Sequence, residues 1–168
     1  KTKLLIIGKG PELEEFKIFA KQFKFGDRLQ FLGEIPYEEI PIYYQIGDAF
    51  LNASISETQG LTFIEAMSAE VPVNARFDEN LEDMFINKKA GLLYKTPEEF
   101  LQNIEILKTD TGLIQEMKQN ALNIAETFSA ETFGSRVEEI YIKTIKESKS
   151  SEDFTLLRGK KFLQQVRR

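Results

Sequence analysis

Short apolar runs without alternation recur along the first half of the chain, each followed by a polar turn and a stretch of helical periodicity. Lys3 to Ile7 (KLLII) runs into Gly8-Lys9-Gly10-Pro11 and then a helical pattern from Glu12 to Phe23, with Pro11 placed to start it. An apolar run of this kind suits a strand covered on both faces, as in a parallel sheet. Arg28 to Leu32, closed by Gly33, reads as the second strand. Tyr37 to Ile46 reads as a short helix that Pro41 should end, kink or restart. Asp48 to Ala53 is the third strand, and a polar turn then leads to a helix opening near Gly60. On that helix Phe63, Ile64 and Met67 fall on one side and should face a core, while Glu65 lies well round from the stripe. Val71 to Val73 reads as a short strand, and Lys88 to Tyr94 as a turn and final strand. From Thr96 onward the pattern is helical: Pro97 to Leu107, Thr111 to Phe128, and Ser129 to about Ile145. Thr96 and Glu99 form a capping box around Pro97, and Ser129 with Thr132 opens the last helix. Val137, Ile140, Tyr141, Thr144 and Ile145 should make its packing face. The succession predicts an α/β fold, a parallel sheet flanked by helices.

Composition narrows the chemistry. The 168 residues suit one domain with a real core, and 42% hydrophobic with 29% charged residues is ordinary for a globular chain. There is no cysteine and no histidine, so disulfides, thiolate chemistry and the commonest general base and zinc ligand are excluded from this chain. Catalysis must use carboxylates, hydroxyls, amides or Lys/Arg, and no ligand cluster implies a dedicated metal. A formal charge of −5 argues against broad nucleic-acid binding. No apolar run reaches the length of a membrane span, and no signal-like segment precedes the first strand. Residues 1–147 read as the folded domain and 148–168 as a basic tail. In the tail, polar KESKSSED gives way to Phe154, Leu156, Leu157, Phe162, Leu163 and Val166 among Arg and Lys residues.

The stretch richest in chemistry is Ser54 to Pro72. Gly60 lets the backbone come close to a ligand, and the N–H groups of Gly60, Leu61 and Thr62 have no helical partners. A helix mouth after a strand is an anion site. Glu57 before the mouth and Glu65 inside the helix could grip hydroxyls on either side of a bound phosphate. Spacing alone leaves the ordinary reading in place, an α/β turn with a solvated glutamate. Gly8 and Gly10 allow a tight turn beside a ligand, but the match is only G-x-G. Lys9 reads as a solvated loop lysine, with phosphate neutralisation as the alternative.

The string SETQGLTFIEAMSAEVPV, Ser56 to Val73, closely resembles the Glu-x7-Glu signature of the retaining family 4 glycosyltransferases, in the nucleotide-sugar-binding C-terminal domain of the GT-B fold. Its wording is most similar to bacterial enzymes that glucosylate diacylglycerol. The IIGKGP, FLG and AGLL segments resemble the same domain, so the likeness runs from Lys3 to about Ile145. It implies a Rossmann-like sheet, Glu57 as the catalytic residue, and a donor site of Gly8, Gly10, Thr58, Gln59, Gly60, Leu61, Thr62 and Glu65. The loop Asn74 to Asn80 contains none of the glycines usual in relatives, and Arg76 and Asn80 are its candidate sugar contacts. The implied donor is a nucleotide sugar, UDP-glucose first, with no cofactor. The implied partner is an N-terminal acceptor domain of the same chain. The tail then has two readings, a helix crossing to that domain, which is favoured, or a segment lying on an anionic membrane surface. The implied location is cytoplasmic, with peripheral contact at the inner face of the cell membrane.

Three functions remain open on the sequence. The first is the donor half of a diacylglycerol glucosyltransferase. The second keeps the domain and changes the acceptor to a cell-wall or capsular glycan, or a protein. The third is a non-catalytic sugar-nucleotide-binding module. A phosphoacceptor receiver domain shares the α/β pattern, but the acidic pair expected after its first strand is missing.

Overall fold

The computed structural model describes residues 2–55, 60–87 and 89–166, with the side chains at 86, 87 and 149–166 outside that description. Among the described residues five strands alternate with helices: β1 (Leu4–Ile7), α1 (Leu13–Ala20), β2 (Leu29–Gly33), α2 (Ile40–Gln45), β3 (Phe50–Asn52), α3 (Leu61–Ser68), β4 (Val73–Arg76), α4 (Glu79–Glu82) and β5 (Gly91–Tyr94). Three helices follow: α5 (Pro97–Thr109), α6 (Thr111–Thr127) and α7 (Ala130–Val166). All strand pairs are parallel, as the apolar runs predict.

The strands form two sheets, β1-β2 and β3-β4-β5, in place of the single sheet the pattern suggests. Among the described residues β1 and β3 each keep one edge without a strand partner. Pairs β1-β2 and β3-β4-β5 match strands 2-3 and 4-5-6 of the doubly wound order 3-2-1-4-5-6, in which strand 1 lies between the two groups. Around β1 the burial is correspondingly poor. Leu4 and Ile7 are more than a third exposed, no residue of α1 is buried, and Phe16 and Phe19 on α1 are more than half exposed.

The core lies at the other end of the domain. Phe63, Ala66 and Met67 of α3 pack against Val73 and Ala75 of β4, Leu81, Phe85, Ala90, and Ala121, Ile124 and Ala125 of α6. Phe63 and Met67 face this core as predicted, while Ile64, expected on the same side, is only partly buried at its margin. Four rings run edge to face through it, with centroid separations of 5.4 Å for Tyr44–Phe50, 6.1 Å for Phe50–Phe63 and 5.4 Å for Phe63–Phe85. Each such pair is worth about 0.5–1.5 kcal/mol beyond its buried area.

Local signals decide most boundaries. Thr96 caps α5 by accepting from the Glu99 N–H, and the Glu99 carboxylate accepts from the Thr96 N–H, completing the capping box. Ser129 Oγ accepts from the Thr132 N–H at the start of α7. Pro41 stands in the first turn of α2, which restarts a helix from the 3₁₀ turn at Tyr37–Glu39. Three expectations need correction. Asn74, Ala75 and Arg76 belong to strand β4 and not to the loop after it, because Asn74 is fully buried and satisfied. Its Oδ1 accepts from Asn103 Nδ2 at 2.9 Å, and the same amide donates to the Leu93 carbonyl at 3.1 Å. The expected packing face on α7 is exposed instead: Ile140 is 64% and Tyr141 66% accessible. Helix α7 also continues through KESKSSED and past Gly159 to Val166, where composition suggests a linker.

Candidate functional site

Helix α3 sets the site: it is the first helix after β3, beginning at Leu61, and its mouth is shaped by Gly60. Gly60 stands immediately before it with φ +62° and ψ +30°, the left-handed conformation that an L side chain rarely adopts. The Phe63 and Ile64 N–H groups both donate to the Gly60 carbonyl, at 2.9 and 3.3 Å. The N–H groups of Leu61 and Thr62 therefore precede the first intrahelical bond and point out of the helix mouth. Close packing beneath Gly60 leaves little room: a Cβ there would lie 3.1 Å from Phe63 Cδ2. The apolar side of α3 thus pins the mouth to the core while its opposite side carries Glu65.

Glu65 is half-buried and held by two phenols from the segment after β2. Tyr44 Oη donates to Glu65 Oε2 at 3.1 Å and lies 3.3 Å from the Thr62 carbonyl oxygen. Tyr37 Oη stands 3.5 Å from Glu65 Oε1, at the outer limit for a hydrogen bond. Burial first, and then the Glu65 charge, push the Tyr44 phenol well above its ordinary range, so it stays a neutral donor. Helical spacing alone would give Tyr44 only the role of covering the sheet. Its ring does pack on Phe50, but its hydroxyl does the more telling work on Glu65. Helical phase could place the ring on the core side. The partner, distant in sequence, had no sequence signal.

The other expected residues fall into separate groups. Glu57, Thr58 and Gln59 lie outside the described residues. Gly8 follows β1 with φ +129°, and its N–H donates to the Gly33 carbonyl at 2.7 Å, tying the turn after β1 to the end of β2. Gly10 accepts from the Leu13 N–H at 3.2 Å and shapes the approach to α1. Lys9 is engaged by Glu34 at 2.5 Å in an exposed ion pair, the solvated role read from the sequence. Arg76 ends β4 beside Tyr94 in register, and Asn80 sits in the first turn of α4. The Asn80 backbone and side-chain amides both donate to Asp78 Oδ1, at 2.8 and 2.9 Å, so its amide nitrogen is committed to a helix cap. Tyr94 Oη donates to the Asn52 carbonyl at 3.2 Å and stitches β5 to the end of β3. The structure therefore brings Glu65, Thr62, Tyr44 and Tyr37 together, and places Arg76 beside Tyr94 and, separately, Asn80 on Asp78.

These elements follow carboxyl ends of parallel strands, where open α/β sheets bind ligands at the point where strand order reverses. Chemically, the mouth offers backbone donors for an anion beside a fixed carboxylate that accepts from hydroxyls.

The glycosyl transferases group 1 family matches residues 1–124. Alpha-monoglucosyldiacylglycerol synthase of Streptococcus pneumoniae is 33% identical over 91% of this chain and 34% of its own length. The protein of the same name from Acholeplasma laidlawii is 28% identical over 86% of this chain and 36% of its own length. The chain thus spans about a third of these relatives. Among solved structures, sucrose-phosphate synthase from Thermosynechococcus elongatus superimposes with a TM-score of 0.71 at 23% identity, over 85% of this chain and 38% of that one. Anabaena HepE in complex with UDP-glucose gives 0.68 at 22% identity, over 84% and 41%. These structural likenesses show the GT-B fold.

Proposed function

The chain belongs to the group 1 glycosyl transferase family, and on that premise we propose that it is the donor-binding half of a retaining transferase. The enzyme moves a hexose, glucose from UDP-glucose, to diacylglycerol. The observation that carries the reading is Glu65, a half-buried carboxylate held by two phenols beside a helix mouth that Gly60 opens. The UDP-glucose complex of HepE supports the donor, and the two glucosyldiacylglycerol synthases support the acceptor.

The physical problem in such a transfer is charge building on the departing diphosphate. The N–H groups of Gly60, Leu61 and Thr62, with the dipole of α3 behind them, stabilise that charge as it forms. Glu65 receives the ribose hydroxyls in charge-assisted hydrogen bonds. Glu57 orients the sugar and stabilises positive charge near its anomeric carbon. The leaving phosphate takes the acceptor proton on the same face, so neither glutamate acts as a nucleophile. Thr58, Gln59, Gly8 and Gly10 complete the donor site, and Arg76 and Asn80 approach the sugar.

The rest of the enzyme is an N-terminal acceptor domain of the same protein. The unpaired edges of β1 and β3 and the exposed Phe16 and Phe19 support a further parallel strand between them, supplied by that longer chain. Exposed Phe133, Ile140, Tyr141 and Ile145 on α7 support a docked C-terminal segment. On this reading residues 1–147 are the donor domain and 148–168 cross to the acceptor domain. Among the described residues no helix is long and apolar enough to cross a membrane. We place the enzyme in the cytoplasm, where nucleotide sugars are available, meeting its lipid at the inner face of the membrane.

The test is transfer by the full-length protein from labelled UDP-glucose to diacylglycerol, a cell-wall glycan and a protein acceptor, with Glu57→Gln as control. Glucosylated diacylglycerol that disappears in the variant is expected. Transfer to another acceptor would move the substrate assignment, and nucleotide binding without transfer to any acceptor would leave a non-catalytic module.

A further inference from the structure

We propose that Tyr44 is a positioning residue for the nucleotide-sugar site, its phenol fixing the Glu65 carboxylate to receive a vicinal diol. The inference rests on the reading of Glu65 as a hydroxyl-binding residue and names what makes that binding selective. A glutamate on a helix surface ordinarily samples several rotamers, and ordering it on ligand binding costs affinity. Here Tyr44 Oη directs its single proton to Glu65 Oε2 at 3.1 Å, with the Thr62 carbonyl oxygen 3.3 Å away as a secondary acceptor on the same helix. Tyr37 Oη approaches the other oxygen, Oε1, at 3.5 Å.

The two phenols differ in what holds them. Tyr37 is 75% exposed and stands on the 3₁₀ turn before α2, free to adapt. Tyr44 is half-buried, and its ring is the outer member of the row that continues through Phe50 and Phe63 to Phe85. Phe63 and Phe85 are each 1% exposed, so this row is anchored in close-packed core. Glu65 is thereby referenced to the same Phe63 that supports Gly60 at the helix mouth. The diol-binding carboxylate and the anion-binding backbone share one rigid base. A carboxylate has about four acceptor positions, and one phenol on each oxygen leaves each oxygen able to accept again. Two acceptors side by side match two adjacent hydroxyls, the arrangement of a ribose 2′,3′-diol.

The experiment is calorimetric titration of UDP and 2′,3′-dideoxy-UDP into the full-length protein and its variants. The wild type should prefer UDP. In Tyr44→Phe, which keeps the ring, UDP affinity should fall by about ten-fold, the scale of a hydrogen bond to a charged group. Dideoxy-UDP affinity should stay the same, so the preference shrinks. Glu65→Asp, too short to reach the phenol, should show the same loss of preference. Tyr44→Phe should add nothing in a Glu65→Gln background, because the two act through one interaction. Tyr37→Phe should have a much smaller effect. A Tyr44→Phe variant that keeps the wild-type preference, or weakens both ligands equally, would overturn the proposal. A wild type that binds both ligands alike would instead remove the reading of Glu65 beneath it.

Discussion

Substituting Gly60 by alanine tests the link between the core and the helix mouth. Two costs add at this position. A left-handed backbone at φ +62° costs an L residue about 1–2 kcal/mol. The new methyl would also stand 3.1 Å from Phe63 Cδ2, and that ring cannot retreat because Phe50 and Phe85 flank it at centroid distances of 6.1 and 5.4 Å. Overpacking of this kind adds about 1 kcal/mol. The expected destabilisation is therefore about 2–3 kcal/mol, or a fall in Tm of about 4–12 °C for a chain of this size. Thermal unfolding followed by circular dichroism measures it. Gly60→Asn separates the two causes, since asparagine tolerates the left-handed region but introduces the same Cβ. An alanine variant as stable as the wild type would refute the assigned backbone conformation. Equal losses in both variants would assign the whole effect to the Phe63 contact.

Three further outcomes follow from other parts of the chain. Asn103→Leu should destabilise by about 2–4 kcal/mol in denaturant unfolding, because it leaves the buried Asn74 Oδ1 and the Leu93 carbonyl without their donor. Replacing Asn74 and Asn103 together should cost less than the sum of the single changes. Raised above its ordinary value of 10, the Tyr44 phenol should ionise later in the native than in the unfolded chain. The unfolded state then binds fewer protons above about pH 10, so native stability falls as pH rises beyond that point. Tyr44→Phe should flatten that decline and remove one late ionisation from the ultraviolet titration. If residues 151–168 cross to the acceptor domain, deleting them should leave sedimentation with anionic vesicles unchanged; a clear loss would favour the membrane-surface reading.

What the sequence made legible was whatever depends on neighbours in the chain. The capping box of Thr96 and Glu99, the helix restart at Pro41 and the apolar side of α3 are local, and they stand as read. Features set by distant partners were not legible. Asn74 looks like a loop residue because a polar side chain inside a strand needs a partner, and that partner, Asn103, lies on α5. Tyr44 looks like a sheet cover because nothing beside it marks Glu65 as its acceptor. The division into two sheets, β1-β2 and β3-β4-β5, was hidden for a related reason: periodicity identifies strands, while pairing depends on which strands are present to fill the sheet. On α7, the three-four spacing of apolar residues marked the helix to about Ile145, but neither its continuation to Val166 nor the exposure of its apolar side was legible in it.

The central claim is that the mouth of α3 and Glu65 together hold a nucleotide sugar. Its most direct test is an NMR titration of UDP-glucose into the full-length protein, with Glu65→Gln beside the wild type. The account predicts shifts at the Gly60, Leu61 and Thr62 amides in the wild type, and about ten-fold weaker binding in the variant, the scale of a lost charge-assisted hydrogen bond. Silence at those amides, or equal affinity in the two proteins, would contradict it.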